Sequence, residues 1–462
     1  MPDGGYTAAA GGAACGDLVR LTVSLDRAGA AIGDAGFDAS GCGAAIAAGS
    51  ATVALVRGRG LLDAARVGWR EIDAELGGLI PSKRHAAQLA ADALHRALGA
   101  AARHASLPAA ADRTLVAMSG GVDSAVAAML VAERGEAVAC TLELWSDPEN
   151  DGESSCCSAE AVRGARELAH RLGMAHLSID LREEFRAGVV DGWLEGHAAG
   201  LTPNPCIRCN GNVRLDAMIE LASRLGAGAL ATGHYARIER EGPLPLLRTA
   251  ADTAKDQSYV LSGLSPESLS RLRFPLGELH KPQVRELASR AGLAVAGRRD
   301  SQDLCFLAGT GRQAFLERHG RLPRRPGPIL TGDGRVLGEH AGAHLYTVGQ
   351  RHGLGIATGE PVYVLSTDAA SNTVTVGVRE ELRAERIAVR DLVLHQAGGA
   401  VDGLRLRAHG RRLDCRIAEP LAAGRHAGAE VELLADAERT APGQLACLYS
   451  GELVVGHGTI VR

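Results

Sequence analysis
Two short stretches of this chain combine reactive or anion-binding residue types with a spacing that would aim them. The first is Ser119-Gly120-Gly121-Val122-Asp123-Ser124, directly behind the apolar run Thr114–Met118. The run reads as a buried strand, and a helical pattern opens near Asp123-Ser124 and continues through Ala125–Arg134 to Gly135. Strand, glycine turn and helix aim backbone N–H groups and a helix N-terminus at a phosphate. The glycines let the backbone approach an anion with no Cβ in the way. No lysine follows, so this is not the GxxxxGK[ST] loop that grips terminal phosphates. An ordinary glycine turn is the bland alternative, and the full hexapeptide behind an apolar strand favours nucleotide binding over it.

The second stretch is Thr202-Pro-Asn-Pro-Cys206-Ile-Arg-Cys209-Asn210, a CxxC in a proline-punctuated loop ahead of the helical pattern Val213–Leu225. That places Cys209 close to a helix N-terminus, which favours the thiolate. A third cysteine, Cys305, sits in Arg299-Asp-Ser-Gln-Asp-Leu-Cys305-Phe306. Three readings stay open on the residues alone. Structural zinc needs four ligands and would draw on Cys156-Cys157. Inert core packing suits Cys140, Cys415 and Cys447. Sulfur chemistry would put a persulfide on one cysteine and let another resolve it, or would hold an iron–sulfur cluster with one open iron site.

These residues need elements to hold them. At 462 residues the chain has room for about three domains. A hydrophobic content of 46% is enough for real cores. From Thr114 the pattern alternates: strand Ala137–Leu144, a helix capped by Ser158 and closed by Gly173, strand Ala175–Ile179, helix Val213–Leu225, strand Ala229–Ala231. Such alternation predicts a parallel sheet with helices on both faces, with ligands beyond the strand C-termini, where Ser119–Ser124 and Thr232-Gly233-His234 fall. A helical pattern, His85–Ala102, ends a first unit, and 104–112 reads as a short linker. Pro323–Gly377 is rich in glycine and turns, and the short apolar runs after Glu380 suit a small barrel or sandwich. The expected domains are 1–108, 109–316, 317–380 and 381–462. No apolar run approaches the roughly 18 residues of a membrane span, and the N-terminus lacks signal-peptide order. A cytoplasmic protein with reduced thiols and no membrane partner is expected. Net charge is −4, so any nucleic-acid surface must be a local patch.

Ser119–Ser124 resembles the pyrophosphate loop (PP-loop) of enzymes that split ATP between the α- and β-phosphates and adenylate a substrate. In the order AMSGGVDS, ELWSDPENDGESSCCS, TPNPCIRCN, ATGHYAR, AKDQSYVL, RRDSQDLCF, HLYTVGQRHGLGI and PGQLACLY, residues 114–462 resemble the tRNA-specific 2-thiouridylase (MnmA) family. The resemblance implies an α/β PP-loop domain, a small central tRNA-binding domain and a C-terminal β-barrel. It implies ATP, with Mg2+, bound at Ala117, Met118, Ser119, Gly120, Gly121, Val122, Asp123, Ser124, Leu142 and Gly233, adenylating the 2-oxygen of a wobble uridine. Sulfur would arrive on Cys305 as a persulfide. Cys209 matches the family's nucleophile position, which can pair with Cys305 in a disulfide. Asn204, Pro205 and Cys206 match the loop that meets the target base, and His234, Lys255, Asp256, Gln257 and Gln444 match tRNA contacts. Many members carry Asp at Cys206, and the cysteine here allows a cluster on Cys206, Cys209 and Cys305. The family's Arg-Tyr contact falls at His409-Gly410, with Arg411 and Arg412 as substitutes.

The first unit resembles another family. Ala14-Cys15-Gly16-Asp17, Gly41-Cys42-Gly-Ala-Ala-Ile46 and Leu76-Gly-Gly-Leu-Ile-Pro-Ser-Lys83-Arg-His85 stand in the order of the IscU/NifU iron–sulfur scaffold, an α+β domain. Cys15, Asp17 and Cys42 match cluster ligands. Ala86 occupies the third cysteine's place, which leaves His85 as the substitute ligand. The resemblance implies an iron–sulfur cluster or metal there, or docking of a cysteine desulfurase or other sulfur donor. The reading is a tRNA wobble-uridine 2-thiolase fused to a scaffold-like donor domain. Its rivals are a PP-loop ligase acting on another substrate and a protein that is mainly an iron–sulfur carrier.

Overall fold
Buried β-branched and alanine-rich runs separated by amphipathic helices close into layered sheets in a computed structural model, which describes residues 1–12, 16–147, 158–298, 304–307 and 310–461. The chain divides into two compact units. The first comprises Met1–Glu183, Asp216–His234 and Ser270–Phe306. It opens with an antiparallel meander of β1 (Tyr6–Gly11), β2 (Leu18–Leu25) and β3 (Ile32–Ser40). Helices α1 (Gly43–Val56) and α2 (Arg84–Ala102) pack against it. The inner stripe of α2 is Ala and Leu at helical spacing, with Ala86, Ala90, Leu94, Ala97 and Leu98 fully buried.

The alternating region forms a five-stranded parallel sheet, ordered Leu272–Arg273, β7 (Ala227–Ala231), β4 (Ala110–Ala117), β5 (Ala137–Glu143), β6 (Ala175–Asp180). Helices α3 (Val122–Ala132) and α4 (Ala159–Arg171) make the two crossovers toward β6. Helix α5 (Leu215–Arg224) precedes β7, which lies in the other direction. Right-handed crossovers then put α5 on the opposite face from α3 and α4. Ser158 caps α4 as expected, its hydroxyl accepting from the Ala161 N–H at 3.2 Å.

Two expectations need correction. Helix begins at Pro205 rather than Val213: Pro205–Arg208, a wider turn over Cys209–Arg214 and α5 follow one another without a gap. Asn204 is the N-cap, its side chain accepting from the Cys206 N–H at 3.1 Å, and Pro205 has its φ preset for the first turn. Cys209 therefore does not stand at a helix N-terminus. Residues 104–112 are not a free linker either. Ser106 N–H donates to Gly29 O, Leu107 N–H to Arg224 O and Ala110 N–H to Gly226 O, at 3.0, 2.9 and 2.9 Å.

The second unit comprises Glu184–Leu215, Tyr235–Leu269 and Leu307–Arg462. It holds a four-stranded sheet built from Gly327–Thr331, Val336–His340, Tyr363–Asp368 and Thr373–Gly377. It also holds a barrel closed by Arg383–Leu394, which pairs with both Gly424–Glu438 and Leu453–Ile460. Leu392, Leu404, Val431, Leu448 and Val455 fill the barrel core. Among the described residues no helix is long and apolar enough to cross a membrane.

Candidate functional site
In the first unit, β4 delivers the chain to the glycine turn. Gly120 takes φ +74°, in the left-handed region that glycine adopts freely, and Gly121 is the N-cap of α3. The Ser124 hydroxyl donates to the Gly121 carbonyl at 3.0 Å and accepts from the Ser119 N–H at 3.1 Å, bracing the loop from inside. The first N–H groups of α3 have no acceptor within their own helix. After β7, Gly233 lies against that helix start: a Cβ there would stand 2.7 Å from Ser124 N and 2.8 Å from Asp123 C. Thr232 Oγ1 and His234 Nδ1 lie 2.8 Å apart, which orients the His234 ring. Ala117, Met118, Val122 and Leu142 are buried behind the loop.

Asp123 in the first turn of α3 would by itself repel a phosphate. Lys281 Nζ donates to both of its carboxylate oxygens at 2.8 Å. Arg298 donates to the Gly120 carbonyl at 3.2 Å. Sequence reasoning missed both cations. The His280-Lys281-Pro282 start of the helix Lys281–Arg290 is a visible cap signal, but nothing local ties it to Asp123. Cys305 is half-buried, and its neighbour Phe306 is buried with its ring edge-on to Trp145, centroids 6.4 Å apart.

In the second unit Cys206 is half-buried and Cys209 buried. Burial pushes the Cys206 thiol above its usual pKa, with Arg214 opposing. Asn204 and Gln444 line one cavity of about 510 Å³, together with Arg208, Arg390, Arg425 and His395. The Gln444 amide donates to the Thr202 carbonyl, tying the cysteine segment to the barrel. The arginines and His395 add positive or polarisable groups that the motifs did not reveal. Gln257 is used internally, accepting from the Tyr235 N–H at 2.9 Å. Asp256 is buried, accepts from the Ser258 hydroxyl at 2.7 Å and pairs with Arg405. Lys255 beside it is half-buried. A second cavity of about 530 Å³ is lined by Arg379, Arg383, Arg407, Gly410 and Arg411, while Arg412 pairs with Asp402. Cys206 and Cys209 belong to one unit and Cys305 to the other.

A third cluster lies in the N-terminal part of the first unit. Among the described residues, Asp17, Cys42 and His85 bring a carboxylate oxygen, a thiol and an imidazole within 4.8 Å of one another. Asp17 is buried and accepts from the Cys42 N–H at 2.7 Å and the Cys42 thiol at 3.3 Å. His85 Nε2 lies 2.9 Å from Asp17 Oδ2, the oxygen that also accepts from the Cys42 thiol. The Cys42 N–H, then His85 and the Cys42 thiol, hold the Asp17 pKa down at about 2. His85 Nδ1 faces the Ser82 carbonyl at 3.0 Å; with an N–H donated there, Nε2 would become the ligand atom once a metal replaced the proton it shares with Asp17, the arrangement common to metal-binding histidines. A Cβ on Gly41 would stand 2.1 Å from Asp17 Oδ1, so glycine makes the pocket possible. Ala86 is fully buried on the inner side of α2. Cys15 lies outside the described residues.

Comparison with known families places the NifU-like N terminal domain on residues 2–105 and the tRNA methyl transferase HUP domain on 112–309. The tRNA methyl transferase PRC-barrel domain matches 313–378, and the aminomethyltransferase β-barrel domain matches 402–460. A bifunctional protein NifU/MnmA from Rubrobacter xylanophilus is 42% identical, over 98% of this chain and 93% of its own. The tRNA-specific 2-thiouridylases MnmA of Thermobifida fusca and Heliobacterium modesticaldum are 44% and 39% identical, each over 76% of this chain and over 96% and 93% of their own lengths.

Proposed function
Because the chain belongs to the tRNA-specific 2-thiouridylase family, carried behind a NifU-like N-terminal domain, we propose that it replaces the 2-oxygen of a tRNA wobble uridine with sulfur at the expense of ATP. The enzyme is a tRNA sulfurtransferase by family. The boundaries 1–108, 109–316, 317–380 and 381–462 are our division of its labour.

The observation that carries the reading is the loop at Ser119–Ser124, with Gly233 seated against the start of α3 and Lys281 neutralising Asp123. A uridine carbonyl oxygen is a poor leaving group, and adenylation makes it a good one. The uridine O2 attacks the α-phosphate and pyrophosphate departs. Persulfide sulfur on Cys305 then attacks C2, and AMP leaves with the oxygen. The Cys209 thiolate attacks the Cys305 sulfur, breaking the S–S bond. That leaves the transferred sulfur on C2 and a Cys209–Cys305 disulfide for an external thiol to reduce. With both Asp123 oxygens held by Lys281, we assign Asp123 no part in holding Mg2+, which would neutralise phosphate charge when bound.

The cavity shared by Asn204, Arg208, Arg390, Arg425 and Gln444 suits an RNA loop, since arginine pairs with phosphate and stacks on bases. On this reading, Gln257 and Asp256 hold their segment in shape beside Lys255. The NifU-like domain fits a metal or cluster on Asp17, Cys42 and His85, with Cys15 as the fourth residue by position. Such a group would supply a thiophilic metal able to hold persulfide sulfur for the donor step. Those residues bring a carboxylate oxygen, a thiol sulfur and an imidazole nitrogen, already converged. A cysteine desulfurase is the sulfur source we expect.

The test is thiolation of unmodified tRNA by full-length protein with ATP and a sulfur source, with pyrophosphate release followed in parallel. Cys305→Ala is expected to lose thiolation by at least about 100-fold and to keep tRNA-dependent pyrophosphate release. Undiminished thiolation would remove Cys305 from the mechanism, and pyrophosphate release without tRNA would favour a ligase acting on another substrate.

A further inference from the structure
We infer that the NifU-like domain has a second role, independent of sulfur or metal: its helix α2 seals the open edge of the PP-loop sheet. Both parts lie in the same compact unit, and the inference does not rest on the thiolation reading. β6 is the outer strand of that sheet. An uncovered outer strand offers every second N–H and C=O to solvent or to another chain. Here those groups belong to His176, Ser178 and Asp180. The His176 N–H donates to the Ala65 carbonyl at 3.0 Å, and the His176 carbonyl lies 2.8 Å from His95 Nδ1. The Asp180 carbonyl accepts from Arg103 at 3.4 Å. Between them α2 comes so close at Gly99 that a Cβ would stand 1.8 Å from the Ser178 carbonyl.

The two spacings agree. Residues 95, 99 and 103 recur every fourth position of a helix, about 6 Å of rise. Residues 176, 178 and 180 recur every second position of a strand, about 6.6 Å. One helix face and one strand edge therefore stay in step over three successive contacts. Side chains lock the alignment on either side. Asp92 of α2 pairs with Arg163 and Arg166 of α4 at 2.6 Å each. Arg96 donates to both oxygens of Glu143, at the end of β5, at 2.9 and 3.0 Å. Trp69 Nε1 donates to Glu167 at 3.1 Å. A carrier on a loose tether requires none of these. His85 of the Asp17–Cys42–His85 pocket begins the same helix, about 15 Å of rise from His95. The pocket thus rides on a docked helix, not on a swinging one.

Two mid-helix glycines make a matched test in the full chain. Alanine is favoured over glycine in a helix interior, and at Gly164 in α4 a Cβ would meet nothing within 4 Å. Gly164→Ala is expected to raise Tm by a few degrees. Gly99→Ala, equally favoured by propensity, is expected to lower Tm and to speed amide exchange over residues 175–181 at least tenfold. In the wild-type chain, β6 amides are expected to exchange as slowly as those of β5. A Gly99→Ala protein whose Tm rises as in Gly164→Ala would overturn the edge seal. So would wild-type β6 amides that exchange at the rate of an exposed edge, a result that needs no variant to fold.

Discussion

The pocket around Asp17 and the loop around Ser119 use the same two parts, a helix N-terminus and an aspartate, to opposite ends. Cys42 is the N-cap of α1 and Gly121 that of α3, so both sites inherit the positive end of a helix dipole. In the first, the Asp17 carboxylate is turned inward onto the Cys42 N–H. It consumes the positive end and leaves a net negative cluster with a thiol and an imidazole, suited to a soft cation. In the second, Asp123 is held by Lys281, its charge is compensated, and the positive end of the helix dipole remains for an anion. Glycine serves both by close approach: Gly41 against Asp17 and Gly233 against Ser124. A helix N-terminus therefore does not choose its ligand. The neighbouring carboxylate and its partner do.

The strongest way to break this comparison is to push the phosphate loop apart. Gly233→Val would thrust side-chain carbon into backbone already 2.7 Å from the would-be Cβ. tRNA-dependent pyrophosphate release is expected to fall by about 100-fold or more, since displacements of about 1 Å at a reacting site cost that much. Unaltered turnover would dissociate Gly233 from the ATP site. A smaller effect sharpens the electrostatic half of the argument. Lys281→Met leaves Asp123 uncompensated beside a bound triphosphate, and the KM for ATP is expected to rise about tenfold, equivalent to about 1.4 kcal/mol. Adding Asp123→Asn should recover most of that loss. If the double variant binds ATP no better than Lys281→Met alone, charge compensation is not what Lys281 does.

The smallest expected effect concerns the other pocket. Asp17 is held at a pKa of about 2, below its ordinary 3.8. It therefore contributes stability that is fully present above 3.8 and lost as pH falls through about 2. The Tm gap between wild type and Asp17→Asn should narrow between about pH 4 and pH 2. A gap that is flat across that window would mean that the carboxylate gains nothing from the Cys42 N–H and His85.

The local signals were the readable ones. The apolar strand, the paired glycines and the Ser158 cap each depend on residues within one turn of each other, and the structure has all three. Asn204-Pro205 is an equally local signal: an Asn cap followed by proline starts the helix eight residues before Val213, which moves Cys209 away from a helix N-terminus. The cations at the phosphate loop are another matter. Lys281 lies 158 positions from Asp123 and Arg298 lies 178 from Gly120. Residues 104–112 have the composition of a linker, and the Gly29, Arg224 and Gly226 carbonyls that accept their N–H groups show that they are pinned.

By itself the sequence determined the order of elements, the phosphate loop, the cysteine segments and both family memberships, because each is written in contiguous residues whose backbone geometry is set by their neighbours. The tertiary structure decided which aspartate meets a lysine and which meets a thiol. It also decided that Ala86 faces the core while His85 turns to Asp17, and that α2 lies along β6. Charge compensation and edge coverage depend on groups brought together from distant parts of the chain, and no local spacing encodes them.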